Sequence, residues 1–203
     1  MNVKEGNYNC TTANISNYII EHNLYLKEQI KKYLSKDRYI HTLSVKNTAI
    51  LINKKANLGI DSYKVEKAAL LHDIAKDYDI KYIKKIIASY YPKYIEEQKN
   101  ILHQYVGEYI AREKFFVYDD EILKAIKYHT TGRAAMSLLE KLIFVSDKIE
   151  PTRKYDTKPL LDKCIKNFNK GFIEVLKRNK KYLDNKKIIV TNEDAINSYD
   201  YYL

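Results

Sequence analysis

Apolar residues recur at helical spacing along almost the whole chain. Ile15, Ile19 and Leu26 come first, then Val45, Ala49, Ile52 and Ala56, then Val65, Ala68, Ala69 and Leu71. Steps of three and four place such side chains on one stripe of an α-helix, which has to be buried against another element. The alternation of period two that marks half-buried strands is scarce. Ile188, Ile189 and Val190 make one short β-branched run, too isolated to build a sheet. The pattern predicts an all-α fold.

Turn chemistry divides the pattern into helices. Asn57-Leu58-Gly59 ends the second expected helix, Tyr91-Pro92 opens another, and Gly132 interrupts the segment after His129. Ser137 and Glu140 have capping-box spacing ahead of LLEKLIFVSDKIE, whose end is set by Pro151. Usual helix and loop lengths then give about eight to ten helices. With no repeat, low-complexity tract or Pro/Gly/Ser linker, the 203 residues read as one domain. Its core motifs span 38–153, with an N-terminal helix over about 15–35 and C-terminal helices over about 157–203 packed on that core, in a helical bundle.

Composition removes several classes. Five glycines and three prolines are too few for a turn-rich β-sandwich or a collagen-like chain. Cys10 and Cys164 stand far apart with no CxxC, so neither a disulfide framework nor a thiolate zinc site is expected, which fits a reducing cytoplasm. The N-terminal run MNVKEGNYNCTTANISNYIIEHNLYL lacks the apolar core of a secretory signal, and nothing approaches the ~20 apolar residues of a membrane span. The net charge of +10 invites a polyanionic partner. Yet the lysines are spread evenly through a chain also rich in Tyr, Asn and Ile, as a compositional bias of the source genome would leave them. A basic, tyrosine-rich module binding RNA or the ribosome is therefore the rival reading.

More specific are the polar residues that fall on apolar stripes, where an unpaired polar group is costly to bury. His41 lies in line with Val45, Ala49 and Ile52. His72 and Asp73 sit inside VEKAALLHDIA, apolar on nearly every side. His103 precedes Val106 and Ile110, His129 follows Ile122, Ala125 and Ile126, and Asp147 follows Leu139 and Ile143. A single histidine on such a face is ordinarily a hydrogen-bonded core residue, and His22, placed likewise after Ile15 and Ile19, serves as the control. The other four share their placement with two carboxylates. Imidazoles and carboxylates converging in a helical core are the usual donors of a hydrolytic metal site, and neighbouring His72 and Asp73 suit either one ion or a bridged pair.

The order His41, His72-Asp73, His103, His129, Asp147 resembles the HD-domain metal-dependent phosphohydrolases. RYIHTLSV (38–45), AALLHDIAK (68–76), LHQYVGEYIA (102–111) and YHTTGRAAMSLLEKLIFVSDKIEPTR (128–153) are similar, more closely, to the bacterial YqeK family of diadenosine tetraphosphate hydrolases. The likeness runs from about residue 20 to 200, including the tail TNEDAINSYDYYL. It implies symmetrical hydrolysis of diadenosine tetraphosphate to two ADP at an iron-type site of one or two ions. Manganese, cobalt and zinc are also compatible with nitrogen and oxygen donors. Carried over by position, the metal ligands are His41, His72, Asp73 and Asp147, while His103 and His129 face the phosphates or complete a second metal site with Asp73. A homodimer is compatible with the resemblance, and nucleic acid is not an expected partner. Gln104-Tyr105, Ala134-Ala135 and Lys148 depart from the family's usual form at positions expected to border the nucleoside pocket.

A polyphosphate needs its charge neutralised before a nucleophile can approach. Lys76 lies three and four residues after Asp73 and His72, on their face if one helix carries all three. Arg133 follows Gly132 in the HTTGR turn, where Thr130 and Thr131 offer hydroxyl and amide donors, and Arg153 lies just past Pro151. A guanidinium fork suits phosphate oxygens, and Tyr155 beside Arg153 is the candidate for stacking on adenine. The expected chemistry is metal-assisted hydrolysis, with Asp73 orienting the water and His103 or His129, where not a ligand, protonating the departing ADP. A different HD nucleotidase or phosphodiesterase would share every ligand and differ only in the pocket.

Overall fold

The computed structural model describes residues 3–8 and 11–203, and its regular structure there is helical, with no strand. Cys10 lies outside the described residues. Eleven α-helices follow one another: α1 Ala13–Glu21, α2 Leu26–Ile30, α3 Lys36–Lys55, α4 Ser62–Leu71, α5 Ile80–Tyr90, α6 Lys99–Phe115, α7 Asp120–Lys127, α8 Leu138–Ile149, α9 Lys158–Lys166, α10 Phe168–Asn185 and α11 Glu193–Tyr202. Single 3-10 turns occupy Val3–Glu5 and Pro92–Tyr94. Tyr91-Pro92 thus opens a short turn with proline at its start rather than a full helix.

The N-terminal stretch expected as one helix is two. Asn23 and Tyr25 adopt left-handed backbone, φ 54° and 63°, which no α-helix continues through. Elsewhere the helix starts carry residue types that favour capping. Ser35, Asp61, Asp119, Asn167 and Asn192 each accept a backbone N–H at a helix start. Ser137 and Glu140 form the reciprocal capping box of α8.

The core is a bundle in which α3 packs on α4 and α8, α7 lies against α4, α6 and α8, and α5 covers α6. Leu71, Ile74, Val106, Ile110, Ile126, Leu139 and Ile143 are buried within it. At ~1.5–3 kcal/mol for each large apolar side chain, burial of this kind dominates the driving force. The C-terminal helices close the bundle. Gly171 of α10 faces Cys164 of α9 at a distance that leaves no room for a Cβ. Cys164 is a free buried thiol, and burial pushes its pKa up to about 12.

Helix α11 reaches back across the chain. Asp194 accepts hydrogen bonds from the hydroxyls of Tyr94 (2.7 Å) and Tyr105 (2.8 Å), and the Tyr202 hydroxyl accepts one from the Met136 amide (2.7 Å). Gly132, at φ 69°, sits where a Cβ would lie 2.7 Å from the Ser198 hydroxyl. The loop between α7 and α8 is thereby held from outside.

Candidate metal centre

Six of the residues singled out from the sequence meet. His41 comes from α3, His72 and Asp73 follow the end of α4, His103 comes from α6, His129 lies just past α7, and Asp147 is on α8; all six are buried. His72 and Asp73 do not lie in a helix. After Leu71 the chain runs through tight turns closed by Ile74 N–H to Leu71 O and Lys76 N–H to Asp73 O. The lone helical hydrogen-bond ladder ends there, and the His72 imidazole and Asp73 carboxylate come together, with Nε2 and Oδ2 3.5 Å apart.

Asp73 is the hinge of the arrangement. Its Oδ2 faces His72 and His41, the latter at 3.6 Å, and its Oδ1 faces His103 at 3.0 Å and His129 at 3.4 Å. Asp147 Oδ1 lies 3.1 Å from His41 Nε2 and 3.9 Å from His72 Nε2. Two donor groups are each compact enough to hold one cation: His41, His72 and Asp73, and Asp73, His103 and His129.

The imidazoles are oriented from behind. His41 Nδ1 donates to Glu150 (3.0 Å), His72 Nδ1 to the Ala69 carbonyl (2.7 Å) and His129 Nδ1 to the Ile126 carbonyl (2.8 Å). Each bond commits the Nδ1 hydrogen and leaves the Nε2 lone pair turned to the centre, the arrangement that metal-ligating histidines usually show. The Nε2 atoms of His41 and His72 are buried with no hydrogen-bond partner. A buried polar atom left so costs ~1–3 kcal/mol. A divalent cation removes that cost, so the residues present fit one.

Electrostatics agree with a cation site. Burial opposes the charge of Asp73, yet His72, His103 and His129 hold its carboxyl well below the usual range. Burial likewise opposes Asp147, and Lys148, His41 and Arg153 outweigh it. Burial pushes His129 down to about 3 and lowers His103, leaving both neutral and able to ligate. His41 moves up: burial lowers it, but Asp147 and Glu150 together raise it more.

Around the centre the structure sorts the remaining candidates. The Thr130 hydroxyl lies 3.0 Å from His129 Nε2 and 3.4 Å from that of His103. Lys76 is half-buried within the field of Asp73 and Asp147, and burial lowers its pKa. Arg153 donates to the Asp147 carbonyl and, at 2.5 Å, to its Oδ1. Tyr155 donates to the Lys148 carbonyl. Arg133 stands apart. Its Nε and Nη2 grip the buried Glu140 carboxylate at 2.6 and 2.8 Å, and its Nη1 donates to the Ala134 carbonyl, so its fork reinforces the start of α8.

Sequence reasoning missed Arg38 and Glu150, and gave Lys148 a place at the pocket border but no contact with the centre. Arg38 Nη1 donates to Asp73 Oδ2 at 2.7 Å, Lys148 Nζ to Asp147 Oδ2 at 2.7 Å, and Glu150 stands behind His41. Burial disfavours the Glu150 charge, but His41 and Thr152 bring its pKa down to about 2. Arg38 is one turn before His41 and Glu150 one turn after Asp147, so helical spacing could have found both. Gln104 and Tyr105, expected to border the nucleoside pocket, are fully buried instead. Gln104 is buried, binding the Thr130 and Thr131 amides, and Tyr105 is a core residue stacked on Tyr94.

A cleft of about 870 Å³ opens beside the centre, with His41 and Glu150 at its floor and Arg38, Lys148, Arg153, Lys154, Tyr155 and Arg178 among its walls. Its volume lies in the upper part of the ~300–1,000 Å³ usual for small-molecule sites.

Comparison with known proteins agrees with this geometry. A family model described as an HD domain matches residues 38–152. A crystal structure described as a predicted HD superfamily hydrolase involved in NAD metabolism from Clostridium acetobutylicum superposes with a TM-score of 0.79 at 28% identity, over 87% of this chain and 94% of that one. Fold and site together define a hydrolase of the HD-domain class. The symmetrical bis(5'-nucleosyl)-tetraphosphatase of Bacillus subtilis (strain 168) is 39% identical over 160 residues, covering 76% of this chain and 83% of that protein. The enzyme of the same description from Staphylococcus aureus is 37% identical over 185 residues, covering 86% and 93%. The chain belongs to the family of these symmetrical tetraphosphatases.

Proposed function

We propose that the chain hydrolyses diadenosine tetraphosphate symmetrically, one water giving two ADP, with iron as the metal. The observation that carries the reading is Asp73, whose two oxygens each face a separate histidine set beside a cleft walled by cations. The relatives' descriptions supply the substrate.

In this reading His41, His72, Asp73 and Asp147 would hold one cation, and Asp73, His103 and His129 would hold a second. Such a centre supplies Lewis acidity, bringing the pKa of water toward about 7 and offsetting phosphate charge. Asp73 orients the water from its place between the two sets. Lys76, Arg153 and the Thr130 hydroxyl hold the phosphate oxygens near the floor, so that the central anhydride lies in line with the water. Arg38 and Lys148, now on Asp73 and Asp147, keep the carboxylates charged and aimed. Tyr155 borders the path of the nucleotide. Arg133 acts through Glu140, steadying the loop that carries His129 and Thr130.

No helix among the described residues is long and apolar enough to cross a membrane. Placement in the cytoplasm belongs to the proposal, supported by the absence of CxxC pairs, and so does a homodimer, on resemblance alone; sedimentation equilibrium answers the latter.

The test is anaerobic purification and metal analysis, then incubation with diadenosine tetraphosphate and chromatography of the nucleotides beside an Asp73→Ala control. ADP as sole product, lost in the variant, is expected. AMP with ATP refutes the cleavage position, and a metal-replete protein that leaves the substrate intact refutes the substrate.

A further inference from the structure

The α10 side of the cleft carries a cation that the reading above leaves unassigned. Of the five arginines in the chain, four pair with carboxylates: Arg38 with Asp73, Arg112 with Glu108, Arg133 with Glu140 and Arg153 with Asp147. Arg178 has no carboxylate within ion-pair distance among the described residues. Its guanidinium carbon instead lies 3.9 Å from the centroid of the Tyr155 ring, and both residues line the cleft.

Tyr155 is itself fixed. Its hydroxyl donates to the Lys148 carbonyl at 2.5 Å, and Lys148 Nζ donates to Asp147. Contacts therefore run from Arg178 through Tyr155 and Lys148 to Asp147 of the centre, so Arg178 stands three contacts away from it along the cleft wall. A guanidinium held over an aromatic ring, with no carboxylate on its N–H groups, keeps those donors for phosphate oxygens. The stack also restrains the long side chain, so less rotamer freedom is lost on binding. Lys181 and Tyr182, one turn along α10, share the same wall.

We propose that Arg178, preorganised on Tyr155, binds the phosphates of the substrate half lying farther from the histidine–aspartate centre, and so sets the preference for a dinucleoside polyphosphate over a mononucleotide. The inference deepens the tetraphosphatase reading and rests on it. A substrate cut at its middle anhydride puts one ADP unit over the floor, and the other must run out along the cleft, where Arg178, flanked by Lys154 and Lys181, is the one arginine with no carboxylate partner among the described residues.

The test compares the holoenzyme with Arg178→Ala, Arg178→Lys, Tyr155→Leu and the control Lys177→Ala. Lys177 offers the same charge on the same helix, 4.0 Å from Glu174. Steady-state kinetics with diadenosine tetraphosphate are read beside calorimetric binding of its non-hydrolysable methylene analogue. Arg178→Ala should raise KM and weaken the analogue about tenfold, in line with loss of a charged hydrogen bond, with kcat within twofold. Tyr155→Leu should move in the same direction. Arg178→Lys, which keeps the charge and loses the stack, should stay closer to the alanine variant than to wild type. Lys177→Ala should leave both readouts unchanged. An Arg178→Ala enzyme within twofold of wild type in KM and analogue affinity overturns the inference, as does a loss confined to kcat or one matched by Lys177→Ala. A wild-type holoenzyme that neither binds the analogue nor hydrolyses the substrate brings down the parent reading and this inference with it, an outcome visible before any variant is made.

Discussion

Replacing Gly171 by alanine tests the packing that positions the outer wall of the cleft. A Cβ there would lie 2.5 Å from the Cα, 2.7 Å from the backbone nitrogen and 2.6 Å from the sulfur of Cys164. Two of these three atoms are backbone, so no rotamer change relieves the contact, and α9 and α10 must part by about 1 Å to restore ordinary carbon separations of ~3.5–4 Å. Overpacking of this kind costs ~1–3 kcal/mol and sometimes more. Alanine returns up to about 1 kcal/mol as the better helix former. With backbone on the receiving side, the upper part of the range applies, and the net expectation is a loss of about 2 kcal/mol, or some 4–8 °C in Tm for a chain of this size. Urea unfolding of the two proteins, with equal slopes to certify the comparison, measures it. Adding Cys164→Ala removes the sulfur and leaves both backbone contacts, so the double variant should stay destabilised. A change below 0.5 kcal/mol, or full rescue by Cys164→Ala, would refute the argument that backbone is the obstacle.

Other expectations follow from single contacts. Glu150→Gln keeps the shape but takes the charge from behind His41, and metal retained after dialysis against a chelator should fall about 10- to 100-fold in affinity; equal retention would count against the supporting role. Lys67 is buried, hydrogen-bonded to the Ile20 carbonyl and the Tyr63 hydroxyl, and burial brings its pKa down to about 8. The unfolded chain therefore binds a proton between about pH 8 and 10.5 that the folded one has released, and stability gained from this group rises with pH across that window. Lys67→Met should accordingly be the more stable protein at pH 7, by ~1–3 kcal/mol, with the advantage shrinking toward pH 10; a gap that does not change with pH would sink the reasoning. The Cys164 thiol should resist iodoacetamide at pH 8 in the native protein and react in urea, as peptide mapping would show, whereas rapid native labelling would mean the α9–α10 contact opens readily.

Much of the site was legible because helical spacing and core burial constrain the same residues. His41 in register with Val45, Ala49 and Ile52 had to face inward, and Asp147 behind Leu139 and Ile143 likewise. The capping box at Ser137 and Glu140 fixed where α8 begins. Periodicity could not place the turn at His72-Asp73, because Leu70, Leu71, Ile74 and Ala75 around it are all apolar and buried, and a run apolar on every side has no phase to read. Arg133 misled for a related reason. A charged residue after a glycine turn looks free until the fold brings a buried Glu140 to it. Arg38 and Glu150 shared the helical register of His41 and Asp147, which could have drawn notice to them, but nothing local names their partners, which lie 35 and 109 residues away.

Those separations bear on how the protein comes into being. Helical bundles usually fold fast because most of their contacts are local. Here His41 waits for Glu150 across 109 residues, and Tyr94 waits for Asp194 across 100. Chain growth at about 5–20 residues per second separates the emergence of Glu150 from that of Asp194, some 40 residues later, by roughly 2 to 9 seconds. During that interval every residue of the centre, from His41 to Glu150, has been synthesised, while the loop bearing His129 still lacks its outer clamp from α11. The contacts of α11 that clamp that loop are therefore among the last that the growing chain can make.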